Sequence, residues 1–289
     1  MVVTTPNMKM PLLARLLTGL GALCSALRRE PEIYGVDPVN RWVQSYDDAW
    51  DLTRSAEATA VSPGLVRMTG QKSMAVLDWS KTALMVIDMQ SSSLPRRKEN
   101  FMHDSQLTLA EEDVYLHEHI AKSFDAGRAI VPTAIDFVLT LRKSGVKILW
   151  SNYELDEMDL ESMPPSVFTH HQPASSTLGT SMGFYNGLDM GRKLISGSWN
   201  AELYGRLESL RAEGVEQGTD ARFQKNRLSA FRQRDTSLLT HLHHQNLTTL
   251  LFAGVNTDVC VWASMLEGSF LGFDVILLED LVATSSPIT

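Results

Sequence analysis

The feature that most constrains this chain is an alternation of strand-like and helix-like apolar segments that begins after Lys81. The first segment, Thr82–Ile87, is a continuous run typical of a strand buried on both faces. Pro132 suits the first turn of a helix, and apolar residues recur at helical spacing from Ile135 to Leu141. Val146–Trp150 then reads as a second strand.

The alternation continues to the end of the sequence. The further predicted elements are a strand from Asp220 towards Lys225, a helix over about Thr236–Gln245, a strand over Thr248–Ala253, a helix over Thr257–Leu271 and a strand over Phe273–Leu278. The pattern predicts an α/β fold, with an open, mainly parallel sheet flanked by helices on both faces. Ligands of such sheets bind beyond the carboxyl ends of the strands.

Two regions depart from this rhythm. Residues 1–80 are punctuated by Pro, Ser and Thr, and their periodic stretches are too short for an independent core. We therefore expect an N-terminal, arm-like extension (1–80) followed by one α/β domain (81–289). Residues 151–200 are rich in Ser, Gly, Pro and Met, which predicts loops with short helical pieces of the kind that line binding sites.

Composition narrows the cellular setting and the partners. The formal net charge of -8 argues against nucleic acid as a partner. The two cysteines, Cys24 and Cys260, indicate no disulfide framework, so we expect a reducing, cytoplasmic location. The apolar segment Met10–Leu27 carries Arg15 and two glycines, which leaves it short of a membrane span. It is either an amphipathic arm or a weak targeting signal.

Cys260 is the first candidate for chemistry. It follows the strand Thr248–Ala253 and falls in the first turn of the next predicted helix. Unpaired N–H groups and the helix dipole favour an anion there, so we expect a lowered thiol pKa. The alternative is that Cys260 is a small buried hydrophobic residue.

The segment around Cys260, GVNTDVCVWAS, resembles the nucleophile turn of the isochorismatase-like cysteine hydrolases, in which a glycine and an aliphatic residue precede Thr-x-x-Cys-Val. The resemblance implies a Rossmann-like three-layer fold with Cys260 as the nucleophile. It further implies a cis peptide bond between Val255 and Asn256. The backbone amides of Asn256 and Cys260 would then bind the oxyanion.

Two further segments are similar to the same family. TALMVIDMQ resembles its first strand, which makes Asp88 the general base and places Gln90 in the pocket. FQKNRLSAF resembles its K-x-R-x-S-A-F segment, in which Lys225 would stabilise the thiolate and Arg227 would brace the loop. Taken alone, Asp88 could be a helix cap and Lys225 a solvated surface charge.

The sequence departs from the family pattern in two places. It stops at Thr289, where members continue into another helix and strand, so we expect the domain to lack these elements. The nicotinamidase branch carries Asp-x-His-x-x-His after the second strand, where this chain reads SNYELDEMDLES. We therefore expect no metal and no cofactor. The histidine clusters at 170–171 and 241–244 read as solvent-facing.

The resemblance implies a homo-oligomer acting on a small molecule. A cysteine nucleophile favours hydrolysis of an amide, ureide or carbamoyl C–N bond through a thioester. The candidate substrate-binding residues, chosen from strand ends and site-facing loops, are Gln90, Asn152, Tyr153 and Trp199. Trp199 could equally be a core aromatic residue. Two alternatives stay open, namely an isochorismatase-type vinyl ether hydrolase and a non-catalytic binding or assembly protein on the same fold.

Overall fold

The structure is a computed structural model. It describes residues 2–3, 31–35, 40–45, 48–55, 64–71, 73–90, 125–170, 178–185, 187–232 and 237–286. The predicted amphipathic segment Met10–Leu27 lies outside these residues. Within the described ranges, the helices are all too short or too polar to cross a membrane.

The strands are β1 (Val2–Val3), β2 (Glu32–Tyr34), β3 (Trp42–Gln44), β4 (Ala49–Asp51), β5 (Leu65–Thr69), β6 (Met74–Asp78), β7 (Thr82–Ile87), β8 (Lys147–Tyr153), β9 (Phe184–Tyr185), β10 (Leu188–Asp189), β11 (Asp220–Lys225), β12 (Thr249–Val255) and β13 (Asp274–Ala283). The helices are α1 (Asp125–Ala129), α2 (Val131–Lys143), α3 (Glu157–Ser162), α4 (Pro165–His170), α5 (Arg206–Glu216), α6 (Ser237–His244) and α7 (Trp262–Phe270).

The larger sheet has six strands in the order β1-β13-β12-β7-β8-β11, and all of its pairs are parallel. One face packs against apolar residues of α2 and α5, and the opposite face packs against α6 and α7. The predicted three-layer α/β fold is confirmed. The central strands β7 and β12 are buried along their whole length, as their continuous apolar sequences require.

Several predicted boundaries are wrong by a few residues. The second strand continues from the predicted end at Trp150 to Tyr153, and β12 passes through Gly254 to Val255. The last strand extends to Ala283. In each case the chain stays extended because it pairs with a neighbouring strand, which a local reading does not include. Helix α5 was not predicted.

The strands β2 to β6 form a second, five-stranded sheet in the order β2-β3-β4-β6-β5. Ala75 and Leu77 of this sheet belong to the same apolar core as α2. Arg54 lies 2.8 Å from the Asp274 carboxylate, and the Trp42 indole donates to Asp274 over 2.6 Å. The sheet therefore packs on the main domain, while a domain boundary at residue 80 stays a prediction.

Candidate active site

The candidate catalytic side chains lie at the carboxyl ends of three strands of the main sheet. Asp88 follows β7, Lys225 ends β11, and Cys260 lies in a π-helical turn, Thr257–Val261, after β12. β12 is adjacent to β7, whereas β8 separates β7 from β11. The strands that carry Asp88 and Lys225 are therefore about 10 Å apart, and the two side chains together close this gap.

Asp88 turns out of the strand to face this lysine. Its φ of 50° lies in the left-handed region, which Asp tolerates better than most residues, and its N–H donates to the Ser151 carbonyl over 2.9 Å. The Asp88 Oδ2 to Lys225 Nζ distance is 2.7 Å, and both side chains are fully buried. The carboxylate and the ammonium are thus held together away from water.

Two further contacts fix the Lys225 ammonium. Nζ donates to the Arg227 carbonyl over 3.1 Å and lies 4.4 Å from the centre of the Tyr153 ring. Tyr153 is the direct strand partner of Lys225 in the register of β8 and β11. Strand pairing therefore positions a cation–π contact beneath the ammonium.

The Cys260 thiol completes the cluster. It is buried, and the Asp88 carboxyl group and the Lys225 ammonium are the charged groups that act on it. Burial raises the pKa of the thiol, Lys225 opposes this rise, and the Asp88 carboxylate adds to it. The expectation of a lowered thiol pKa is therefore wrong for this state of the site, because desolvation outweighs the ammonium and the helix start.

Burial also raises the pKa of the Asp88 carboxyl group, while Lys225 and the Cys260 thiol oppose the rise. A carboxylate with a raised pKa is a stronger proton acceptor than an exposed one. Asp88 thus combines contact with the thiol and the basicity that a proton transfer requires.

The turn after β12 has the geometry that the resemblance implied. The Val255–Asn256 peptide bond is cis. The Asn256 carbonyl accepts from the N–H groups of Val259 and Val261, each over 3.2 Å, and the Asn256 side chain accepts from Ser285 N–H over 3.1 Å. The role of the Asn256 and Cys260 amides as oxyanion donors stays a prediction.

The four candidate substrate-binding residues occupy different environments. Tyr153 lies beside Lys225, as described above. Gln90 is fully buried, and its amide bonds the backbone of Tyr153 and the carbonyl of Ala201. Asn152 donates to that same Ala201 carbonyl over 3.2 Å. Trp199 packs against the apolar cluster to which Tyr153 also belongs. Gln90 and Asn152 therefore brace the site, and Tyr153 is the candidate nearest the reacting groups.

The acidic segment after β8 is engaged by protein groups. Glu154 is paired with Arg222 and accepts from Gln224 and Ser196. Asp156 and Asp159 form a capping box at the start of α3. No group of three or more His, Cys, Asp or Glu residues suited to a metal ion occurs in the described part of the chain.

One contact of the site had no sequence signal. The Arg227 carbonyl orients Lys225, yet any residue type supplies a carbonyl. The histidines at 241–244 take no part in the site: His243 and His244 are exposed, while half-buried His241 contacts the Phe223 ring. The side chain of His170 and the whole of His171 lie outside the description.

The fold and this cluster together define a class: a three-layer α/β protein with a Cys–Asp–Lys site at the carboxyl edge of a parallel sheet. The sequence model of the Isochorismatase domain family matches residues 82–288. The chain belongs to the isochorismatase family.

The chain is also similar to individual proteins over most of its length. A protein of Arabidopsis thaliana described as a probable inactive nicotinamidase is 25% identical over 210 residues, covering 72% of this chain and 84% of the relative. The nicotinamidase/pyrazinamidase structure from Bacillus subtilis superposes with a TM-score of 0.50 at 22% identity, covering 72% of this chain and 88% of that one. N-carbamoylsarcosine amidase from Thermoplasma acidophilum gives a TM-score of 0.44 at 18% identity, covering 72% and 86%.

Proposed function

We propose that this protein is a cysteine-dependent hydrolase that cleaves the C–N bond of a small amide, ureide or carbamoyl compound. The observation that carries the proposal is the buried Asp88–Lys225 ion pair, whose two charged groups act on the buried Cys260 thiol. A purely structural cysteine requires neither a proton acceptor nor a cation, and burying both charges has a cost in stability.

In the first step, Asp88 accepts the thiol proton while the sulfur attacks the substrate carbonyl carbon. Lys225 stabilises the charge that develops on the sulfur as the proton leaves. The carbonyl electrons move to oxygen, and the backbone amides of Asn256 and Cys260 would hold the resulting oxyanion. Donors of this kind contribute about 3–4 kcal/mol to lowering a barrier.

In the second step, the oxyanion collapses, the C–N bond breaks, and protonated Asp88 returns its proton to the leaving nitrogen. Ammonia or an amine departs, and the acyl group remains as a thioester on Cys260. Water then attacks the thioester with Asp88 again as base, which releases the acid and restores the thiol. The net reaction consumes one water for each C–N bond cleaved.

The test is ammonia or amine release from a panel of small amides, ureides and carbamoyl compounds. We expect turnover by the native protein and its loss, by about 10³-fold or more, in Cys260→Ala and Cys260→Ser. The serine variant keeps the side-chain size but removes the acidic thiol. Equal rates in all three proteins would overturn the proposal.

A non-catalytic binding protein is the second candidate. Its support is the complete burial of Asp88 and Lys225 and the description of the Arabidopsis relative as probably inactive. This function predicts ligand binding with no released amine and no dependence of binding on the Cys260 thiol. The vinyl ether alternative predicts instead a product formed equally well by Cys260→Ala. The expected homo-oligomer and cytoplasmic location stay predictions.

A further inference from the structure

An open cavity of about 480 Å³ lies between α7, α4 and the loop that follows Lys225. Most of its wall is apolar, supplied by Val167, Leu228, Ala263, Leu266 and Phe270. Two arginines, Arg227 and Arg232, add positive charge to this wall. The cavity therefore suits a molecule that combines an apolar portion with an anionic group.

The two arginines differ in their partners. The Arg232 Nε lies 2.8 Å from Glu267 Oε1, so its charge is already balanced. Arg227 is half-buried, and no carboxylate of the described residues lies within ion-pair distance of its guanidinium. Its Nη1 donates to the Asn226 carbonyl over 2.6 Å, which leaves further N–H donors of the planar fork for a ligand.

The Arg227 guanidinium also lies near Tyr153, the residue whose ring contacts Lys225. The Asn226 carbonyl that accepts from Arg227 also accepts from the Tyr153 hydroxyl, over 3.2 Å. Two donors that share one oxygen at these distances lie within about 6 Å of each other. Since the Tyr153 ring lies beneath the Lys225 ammonium, the guanidinium and the catalytic cluster flank the same tyrosine.

We propose that Arg227 binds a carboxylate of the substrate, so that the protein acts on small C–N compounds bearing both a carboxylate and an apolar substituent. That the bound molecule is a substrate rests on the proposed function. The binding site itself can be tested without turnover. A planar guanidinium pairs with a carboxylate through two parallel hydrogen bonds, which fixes the ligand's orientation as well as its affinity. The apolar wall formed with α7 then receives the rest of the molecule.

The test uses Cys260→Ala protein, which removes the thiol chemistry, and a matched pair of probes, N-carbamoyl-leucine and the corresponding alcohol, N-carbamoyl-leucinol. Titration calorimetry should show the carboxylate probe binding about tenfold or more tighter than the alcohol. Adding Arg227→Met should abolish this preference, and Arg227→Lys should restore part of it. Adding Arg232→Met is the matched control and should leave the preference unchanged.

Equal affinity for the two probes, no binding of the carboxylate probe, or a preference that survives Arg227→Met would each overturn the assignment. Retained alcohol binding, or an unchanged Tm, shows that the Arg227→Met protein is folded. Hydrolysis is measured separately on protein with native Cys260. Loss of hydrolysis with a retained Arg227-dependent preference would contradict the proposed function but not the carboxylate site.

Discussion

Lys225 and Asp88 form an ion pair of 2.7 Å although the strand β8 lies between the strands that carry them. Neither side chain is exposed, so each charge depends on the other for compensation. Both groups act on the buried Cys260 thiol. The same buried residues therefore stabilise this end of the sheet and carry the chemistry proposed for the site.

The ion pair makes a prediction about stability. Asp88→Asn and Lys225→Met should each reduce the free energy of unfolding by about 3–5 kcal/mol, because each leaves an uncompensated buried charge or donor. The double variant should lose much less than the sum of the two single losses, since no lone charge remains. Urea denaturation of the four proteins measures this coupling, and strictly additive losses would contradict it.

The pKa shifts predict how Cys260 responds to alkylation by uncharged iodoacetamide. A raised thiol pKa means little thiolate at neutral pH, so labelling should be slow at pH 7 and accelerate as the pH rises. Asp88 raises the thiol pKa and Lys225 lowers it, so Asp88→Asn should speed labelling and Lys225→Met should slow it. Peptide mass spectrometry follows Cys260, with Cys24 as the internal reference. Changes of the same sign in both variants would contradict the assigned electrostatics.

Gly254 controls the approach of β12 to β7. Its φ is +116°, and an added Cβ would lie 2.0 Å from the Ile87 carbonyl oxygen, next to Asp88. Gly254→Ala should therefore lower the free energy of unfolding by about 3 kcal/mol or more and reduce activity by displacing Asp88. Gly145→Ala is the control, with φ +79° and open space around its Cβ, and should cost about 1–2 kcal/mol. Equal losses in the two variants would show that close packing at Gly254 is unimportant.

The attachment of the N-terminal sheet depends on the Arg54–Asp274 pair. Their side chains are 9% and 1% exposed, so Arg54→Met should destabilise the protein by about 3–5 kcal/mol and speed proteolysis between residues 32 and 78. Arg128→Met removes a pair whose Asp125 side chain is 91% exposed, and should change stability by about 0–1 kcal/mol. If the Arg54 variant behaves like the Arg128 control, the pair does not hold the sheet to the domain.

Local sequence predicted the main sheet well because its central strands are buried on both faces. Thr82–Ile87 was placed correctly, since its unbroken apolar run marks such a strand. Asp220–Lys225 was also placed correctly, although it is a largely polar strand at the edge of the sheet. The N-terminal sheet was not predicted. Strands such as Trp42–Gln44 are three residues long, which is too short to show an alternating pattern. They are stabilised by pairing with the neighbouring strands of the sheet.

The candidate site was predicted as a set of residues, yet its electrostatics were not. Motifs indicated Asp88, Lys225 and Cys260, whereas the sign of the thiol pKa shift depends on burial contributed by the whole fold. Arg227 is a similar case. That no carboxylate of the described residues pairs with its guanidinium depends on how distant chain segments pack together, which local sequence does not show.

The most direct test of the central claim is intact-mass spectrometry of the protein after brief mixing with the amide, ureide and carbamoyl panel, beside Cys260→Ala. The account predicts an acyl adduct on the native protein alone, which hydroxylamine removes as expected for a thioester. The same adduct on Cys260→Ala would contradict Cys260 as the nucleophile. Amine release from folded native protein that never carries an acyl adduct would contradict it as well.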